Sequence, residues 1–237
     1  MNIQVIERLD LILANGLVSG GGDQVTTFCA EEAVCLALGE PITSRPVCVD
    51  EAVSAFGRRL NDSRWSSNAA RAKGMRAFMI AQLGTKGTIE PRQFAQQLVL
   101  RTIREVLPLW LRQVWIDKDL IAACEDATTV EEGRQAAARA SYTIGASAAV
   151  AANAAARGAA FAAALAVAKS GSFASAANGA ASVAANAAAD DYTYDDVRAG
   201  ALDLSARIAV EILRDLGSPG ARFLDSATVP GVGFRRG

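Results

Sequence analysis

The stretch from Ala136 to Ala189 contains 29 alanines in 54 residues, and this composition limits what the chain can fold into. Alanine is the strongest helix former because it loses no side-chain entropy in a helix. A methyl group buries little area, so an alanine helix is stabilised only where its backbone closely approaches another helix. Glycine and serine in "KSGSF" divide the stretch. We therefore predict two alanine-rich helices that pack closely as a hairpin.

The segment "VAANAAA" occurs twice in this stretch, at Val150–Ala156 and at Val183–Ala189. Asn153 and Asn186 hold the same place in the two copies. A polar residue in an otherwise apolar helix contact can fix the register of the pair. We expect these asparagines to bond to each other or to a facing backbone. The facing helix can belong to the same chain or to a neighbouring copy, and we expect a homo-oligomer.

Helix patterns dominate the rest of the chain, and the sustained alternation typical of strands is not found. We predict an all-α protein, a multi-helix bundle that includes the alanine-rich hairpin. Residues 1–126 form an N-terminal helical unit in this prediction. Residues 127–217 form the alanine-rich helices and a final amphipathic helix, packed as one domain with the first unit. Residues 218–237 are rich in turn formers and are expected to be a mobile tail.

Three local patterns predict where helices begin or bend. Asp23 is expected to cap a helix formed by "QVTTFCAEEAVCLALG". Thr128 and Thr129 stand in capping-box spacing ahead of the alanine-rich region. Pro108 falls inside a long apolar helix pattern, so we expect a kink or an end near Leu107.

Composition excludes several classes of function. The chain has no histidine, which removes Ser-His-Asp triads, Cys-His dyads and histidine metal sites. Its formal net charge of −1, from 24 basic and 25 acidic residues, gives no general attraction to nucleic acid or to anionic membranes. No segment reads as a membrane span. The irregular cysteine spacing is not that of a disulfide framework, which favours a reducing, cytoplasmic setting.

Cysteine and carboxylate chemistry remain open. The spacing of Cys29, Cys35 and Cys48 matches no zinc ribbon, so we interpret them as buried thiols and predict no metal and no cofactor. Glu31 and Glu32 could serve as an acid and a base, but adjacent helix residues diverge by about 100°, so only one can face a given pocket. A solvated helix face is the favoured interpretation of this pair.

One clear basic segment lies between Arg58 and Arg76 and includes a tryptophan. Guanidinium groups bond phosphate in a fork, and an indole offers a face on which a base can stack. The residues predicted to bind a ligand are Arg58, Arg59, Arg64, Trp65, Arg71 and Arg76. The competing interpretation is an exposed charged face balanced by the acidic second and third helices.

The sequence "FCAEEAVCLALGEPITSRPVCVDEAVSAFGRRLND", followed by "IAQLGTKG", resembles a group of uncharacterised bacterial and phage proteins. Their shared features are a cysteine-containing "EAV" helix ending in "GEP", a loop to a second cysteine, a helix ending in "ND" and a "GT" turn. The resemblance covers Val25–Gly87 and implies a helical unit and a prokaryotic or phage source. It carries no established activity, so no functional residue is transferred.

These patterns favour a non-enzymatic, oligomeric helical binding protein that captures a small anionic ligand such as a signalling nucleotide. A phage is one of the sources that the resemblance implies. The first alternative is a structural or assembly protein that associates with itself through the alanine-rich helices. The second is an enzyme that uses Glu31, Glu32 or Cys29 in a pocket.

Overall fold

The computed structural model describes residues 3–113, 117–144, 150–167, 173–185 and 195–225. These ranges are helical and contain no strand, which confirms the all-α prediction. The helices are α1 (Ile3–Leu13), α2 (Ala30–Leu38), α3 (Glu51–Asn61), α4 (Asn68–Ala81), α5 (Pro91–Arg101), α6 (Leu107–Leu111), α7 (Lys118–Glu125), α8 (Val130–Ile144), α9 (Val150–Val167), α10 (Phe173–Ala185) and α11 (Asp195–Asp215). Within the same ranges no helix is both long and apolar enough to cross a membrane.

The second helix starts later than the sequence pattern predicts. Asp23 does not cap it, because the Asp23 carboxylate accepts hydrogen bonds from the backbone amides of Val25, Thr26 and Thr27 at 2.8–2.9 Å. These bonds close a turn, and Cys29 occupies the N-cap position of α2 instead. Side chains that bond to nearby backbone amides compete with helix formation in this way. The residues before α2 are therefore an ordered loop.

The helix that contains Pro108 continues through a local change in hydrogen bonding. Between α5 and α6, residues Thr102–Val106 form a π-helical turn, and the amide of Leu107 donates to the carbonyl of Thr102. Proline has no N–H to donate, and π-turns commonly absorb such irregularities inside helices. The predicted interruption near Leu107 thus takes the form of a π-turn ahead of a short helix.

The capping box at the start of α8 is confirmed. The amide of Glu132 donates to Thr129 Oγ1 at 3.2 Å, and the Glu132 carboxylate accepts from the amides of Thr129 and Thr128 at 3.2 and 2.8 Å. Helix α8 then carries the first alanines of the rich stretch into contact with α9.

The alanine-rich helices α9 and α10 pack closely against each other, as predicted. A Cβ atom placed on Gly179 of α10 would lie 2.9 Å from the Cβ of Ala162 in α9, which is closer than two methyl groups can approach. Many alanines of the two helices are buried, among them Ala155, Ala159, Ala162, Ala163, Ala166, Ala176, Ala177, Ala180, Ala181 and Ala184. Backbone proximity, rather than side-chain size, fills the space between these helices.

Helix α10 packs equally closely on α3 in the N-terminal part of the chain. Arg59 of α3 donates from Nε to the hydroxyl of Ser182 in α10 at 2.9 Å. Asn186 and the side chain of Asn153 lie outside the described residues, so the predicted asparagine contact stays a prediction, as does the homo-oligomer.

Larger side chains form the core of the N-terminal part. Phe56 of α3 meets Phe78 of α4 and Phe94 of α5 edge to face, with ring centroids 5.3 and 6.5 Å apart. Ser218 and Gly220 extend the packed region past α11, because Ser218 Oγ donates to the carbonyl of Ala81 and the Gly220 amide to that of Leu83. The described chain therefore remains packed through the first residues of the segment expected to be a tail.

The contact at Gly179 yields a matched pair of substitutions. Gly179→Ala should destabilise the fold, because overpacking of this size costs about 1–3 kcal/mol. Gly200→Ala in α11 is the control, since a Cβ there meets nothing within 4 Å and alanine favours the helix by about 1 kcal/mol. Urea unfolding should place Gly179→Ala below Gly200→Ala by about 1–3 kcal/mol, because the gain in helix propensity is common to both variants. Equal stabilities would contradict the close contact.

Candidate functional site around Glu31

A small cavity of about 150 Å³ lies where the start of α2 meets the end of α3. The loop before α2 covers part of it with Gly20 and Gly21. The lining residues are Gly20, Gly21, Cys29, Glu31, Glu32, Ser44, Arg58, Asn61 and Asp62. An engineered cavity of similar volume admits benzene, so this space suits a molecule of about six non-hydrogen atoms.

Glu31 is fully buried in the wall of this cavity. Neither oxygen of its carboxyl accepts or donates a hydrogen bond among the described residues. Gly57 of α3 makes this position possible, because a Cβ there would fall 2.5 Å from Glu31 Oε1. A buried polar group without a partner costs roughly 1–3 kcal/mol, so Glu31 requires an explanation that packing does not provide.

Burial is the main reason that the pKa of Glu31 rises from its usual 4.5 to about 8. The Arg58 guanidinium opposes this effect but does not overcome it. The Gln82 amide also lies near the carboxyl, yet the two make no hydrogen bond of normal geometry, and Gln82 is itself buried without a partner. Glu31 is therefore mostly protonated at neutral pH.

Glu32 is also buried, but its carboxylate is well bonded. It accepts from the amides of Gly22 and Cys29 at 2.9 and 3.0 Å and from the Gln24 side chain at 3.3 Å. Burial acts to raise the pKa of Glu32, but these hydrogen bonds outweigh it, and the pKa is lowered. Glu32 ties the loop to α2.

The expectation of a solvated face at Glu31 and Glu32 is wrong. The two residues are 0% and 5% exposed, and both line the same cavity. Although adjacent helix residues point in different directions, Glu31 and Glu32 line one cavity. The reason is that the loop before α2 folds back over the start of the helix and contacts Glu32.

Asn61 and Asp62 hold the opposite wall at the end of α3. The Asn61 amide nitrogen donates to the carbonyl of Val18 at 3.0 Å, and its oxygen accepts from the amide of Ala30 at 3.2 Å. Asp62 Oδ1 accepts from the amide of Gly20 at 2.8 Å. One turn thus fixes both the loop and the first turn of α2.

Arg71, predicted to bind a ligand, is instead a buried clamp on this turn. Its guanidinium donates to the carbonyls of Asn61 and Leu17 at 2.8 Å and to Asn68 Oδ1 at 2.8 Å. Only 6% of the residue is exposed. Burial lowers its pKa, although Asp62 acts in the opposite direction.

The other predicted residues are mostly engaged within the protein. Arg58 bonds Glu51 at 2.8 Å and Ser54 Oγ at 2.7 Å, and Arg76 forms a two-bond ion pair with Asp10 at 2.6 and 2.8 Å. Arg59 bonds α10 as described above. Trp65 is buried and donates its indole N–H to the carbonyl of Leu60 at 2.9 Å, and Arg64 is partly buried.

Trp65 does line a second concave surface, the groove between α4 and α11. This groove of about 610 Å³ is lined by Trp65, Ser66, Ala70, Lys73, Gly74, Ala77, Ala199, Gly200, Asp203 and Arg207. The exposed side chains of Lys73 and Arg207 have no ion pair within the described part of the chain. Of the six residues predicted to bind a ligand, Trp65 alone lies at this groove and Arg58 alone at the Glu31 cavity.

The cysteines are free thiols; Cys29 and Cys35 are buried as predicted, whereas Cys48 is half-buried. Burial is the main reason that the pKa of Cys29 rises to about 12, and the pKa values of Cys35 and Cys48 are also raised mainly by burial. A protonated thiol is a poor nucleophile. Among the described residues no three acidic or thiol side chains are grouped to hold a metal ion.

No protein-family model, curated protein or solved structure matches this chain. The function must therefore be inferred from the geometry of the site itself.

The Glu31 site was only partly recognisable in the sequence. Glu31 and Glu32 were candidates, whereas Asn61, Asp62 and the glycines of the loop were not assigned to a site. Glycine in the middle of a helix is unfavourable by about 1 kcal/mol and often has a packing reason. Gly57 was such a marker, since its missing side chain makes room for Glu31.

The raised pKa of Glu31 predicts a pH-dependent stability. In the unfolded chain the group titrates near 4.5 and in the folded protein near 8, so the folded state binds more protons between these values. Stability should fall as pH rises from about 5 to 8, by up to about 1.4 kcal/mol per pH unit. Urea unfolding at several pH values measures this slope. Glu31→Gln should flatten this pH dependence of stability, whereas the exposed control Glu7→Gln should leave it unchanged. Equal slopes in the native protein and both variants would contradict a buried, protonated Glu31.

Proposed function

We propose that this protein binds a small polar molecule in the Glu31 cavity. The observation that supports the proposal is the fully buried Glu31 carboxyl, whose two oxygens lack hydrogen-bond partners at the cavity wall. Buried polar groups in proteins are nearly always bonded, and exceptions require a specific reason. A ligand that bonds to Glu31 supplies that reason, because it offsets the unfavourable burial.

The surroundings of Glu31 support a binding site over a packing defect. The walls are held by hydrogen bonds that the side chains of Asn61, Asp62 and Glu32 accept from the backbone amides of Ala30, Gly20 and Cys29. Such a wall keeps its shape when a ligand enters, and preorganised sites bind with less ordering cost. A carboxyl with a strongly shifted pKa beside a cavity is a recurrent property of functional sites.

The small volume sets the affinity to expect. The best small ligands gain at most about 1.5 kcal/mol per non-hydrogen atom. A ligand of about six such atoms is therefore limited to roughly −9 kcal/mol, which corresponds to a Kd near or above micromolar. Screening should accordingly use millimolar fragments of ten or fewer non-hydrogen atoms.

A fragment screen by ¹H–¹⁵N NMR on the full chain tests the proposal. Binding fragments should shift the amides of Gly20, Gly21 and Cys29, which line the cavity. Glu31→Gln should weaken the binding by about threefold to tenfold, since a hydrogen bond to a neutral group contributes roughly 0.5–1.5 kcal/mol. Glu7→Gln should bind as the native protein does. A screen without shifts at these amides, or fragments held equally by Glu31→Gln, would refute the proposal.

A second candidate function is binding of a small anion in the groove between α4 and α11. The exposed Lys73 and Arg207 lie on facing helices of this groove, with the edge of Trp65 in its wall. Asp203 lies there too, so the fitting ligand carries hydroxyl donors as well as an anionic group. A nucleotide has both. The volume of the groove lies within the usual range of ligand sites, about 300–1,000 Å³.

Thermal-shift measurements with linear and cyclic nucleotides test this second candidate. Stabilisation should be lost in the double variant Lys73→Ala/Arg207→Ala, because the two cations would hold the anionic group. The double variant Lys86→Ala/Arg92→Ala removes the same charges from exposed sites elsewhere and should retain it. Nucleotides that stabilise none of the three proteins, or all of them equally, would exclude the groove as their site.

A further inference from the structure

We propose that the Glu31 cavity takes a small organic cation, an amidinium or ammonium group placed against the Glu31 carboxyl. This inference rests on the proposed function and names the chemical class of its ligand. The evidence for this ligand class is the charges and hydrogen bonds of the cavity walls.

The walls present more carboxyl groups than cations. Glu31, Glu32 and Asp62 all line the cavity, and Arg58 is the only basic residue among its described lining residues. An anionic ligand would meet the carboxylates of Glu32 and Asp62, and above about pH 8 that of Glu31 as well, in a confined space where like charges repel. A cation is attracted to the same walls.

Arg58 does not reverse this balance, because it is already matched within the protein. Its Nη2 bonds Glu51 Oε1 at 2.8 Å, and its Nη1 bonds Ser54 Oγ at 2.7 Å and the carbonyl of Ser44 at 3.2 Å. An anion that sought Arg58 would compete with Glu51 for the guanidinium. The attraction that Arg58 offers an anionic ligand is correspondingly small.

The hydrogen-bonding capacity points to the same ligand class. Both Glu31 oxygens lack a hydrogen-bond partner but are covered by protein atoms, so a ligand pairs with them once the side chain turns toward the cavity. Asp62 uses only Oδ1 to hold Gly20 and Asn61. A carboxylate with two free oxygens is matched by the parallel N–H groups of an amidinium, and such charged, two-bond pairs are among the strongest hydrogen bonds in proteins.

Binding of a cation should expel the proton of Glu31. The proton of Glu31 and a bound cation compete for the same carboxyl oxygens. When the cation binds, the carboxyl therefore releases its proton to solvent and the carboxylate pairs with the ligand. The total charge is conserved. The charged groups near Glu31 are Glu32 on its own helix, Arg58 and Glu51 on α3, and Asp62 at the end of α3. Helix α4 contributes the uncharged Gln82, and Asp10 of α1 is paired with Arg76.

Isosteric probes separate charge from shape. The first set is acetamidinium, acetamide and acetate, and the second is benzamidinium, benzamide and benzoate. Each set keeps one outline and changes the charge from positive to neutral to negative. NMR titration of the full chain at pH 6, 7 and 8, read at the Gly20 and Gly21 amides, gives the affinities.

The cation of at least one set should bind at least tenfold more tightly than its neutral and anionic counterparts at pH 8. Its affinity should rise severalfold, up to tenfold, for each pH unit between 6 and 8, because proton release accompanies binding. Glu31→Gln should lose both the preference and the pH dependence. Glu7→Gln should retain both.

The outcomes distinguish this inference from the proposed function. If a neutral or anionic member binds as tightly as the cation, or if only unrelated neutral fragments shift Gly20 and Gly21, the cation inference is overturned while binding in the cavity stands. If neither these sets nor any fragment shifts those amides, both proposals fail.

Discussion

The turn at the end of α3 is the contact on which the candidate site depends. Asn61 bonds the loop at Val18 and the first turn of α2 at Ala30, while Arg71 holds the carbonyl of Asn61 from behind. Four segments, distant in sequence, therefore meet through two side chains. Because the bonds to Ala30 and from Arg71 are buried and the bond to Val18 is partly buried, a partner left unpaired would have little water to replace the lost bond. The arrangement accordingly behaves as one unit and gives the cavity a fixed shape.

Close contact between small residues sets the position of α3 from its other side. Helix α10 lies against both α9 and α3, and the bond from Arg59 to Ser182 joins α3 to α10. Helix α3 is consequently held between the alanine-rich helices and the cavity. The alanine-rich stretch thus supports the site through its packing, although the cavity lining contains none of the described residues of α9 or α10.

Local sequence patterns predicted those parts of the fold that depend on interactions between neighbouring residues or on composition. The capping box at Thr129 and the close packing of the alanine-rich helices follow from residues near one another in sequence or from composition. The environment of Glu31 could not be predicted in this way. Glutamate is rarely buried, and its burial here depends on Gly57 in another helix and on a loop that folds back. The internal partners of the basic segment could not be predicted for the same reason, since sequence does not reveal that Asp10 pairs with Arg76.

Ligand binding at Glu31, as proposed, would affect how long the protein survives in a cell. A molecule that binds only the folded state stabilises it by an amount that grows with the logarithm of its concentration. Chains that unfold are removed by proteases, so differences of about 1–2 kcal/mol change abundance severalfold. A buried acid that is paired only when its ligand is present would therefore link the lifetime of the protein to the supply of that ligand. The rate at which the protein is degraded would then depend on the concentration of the ligand.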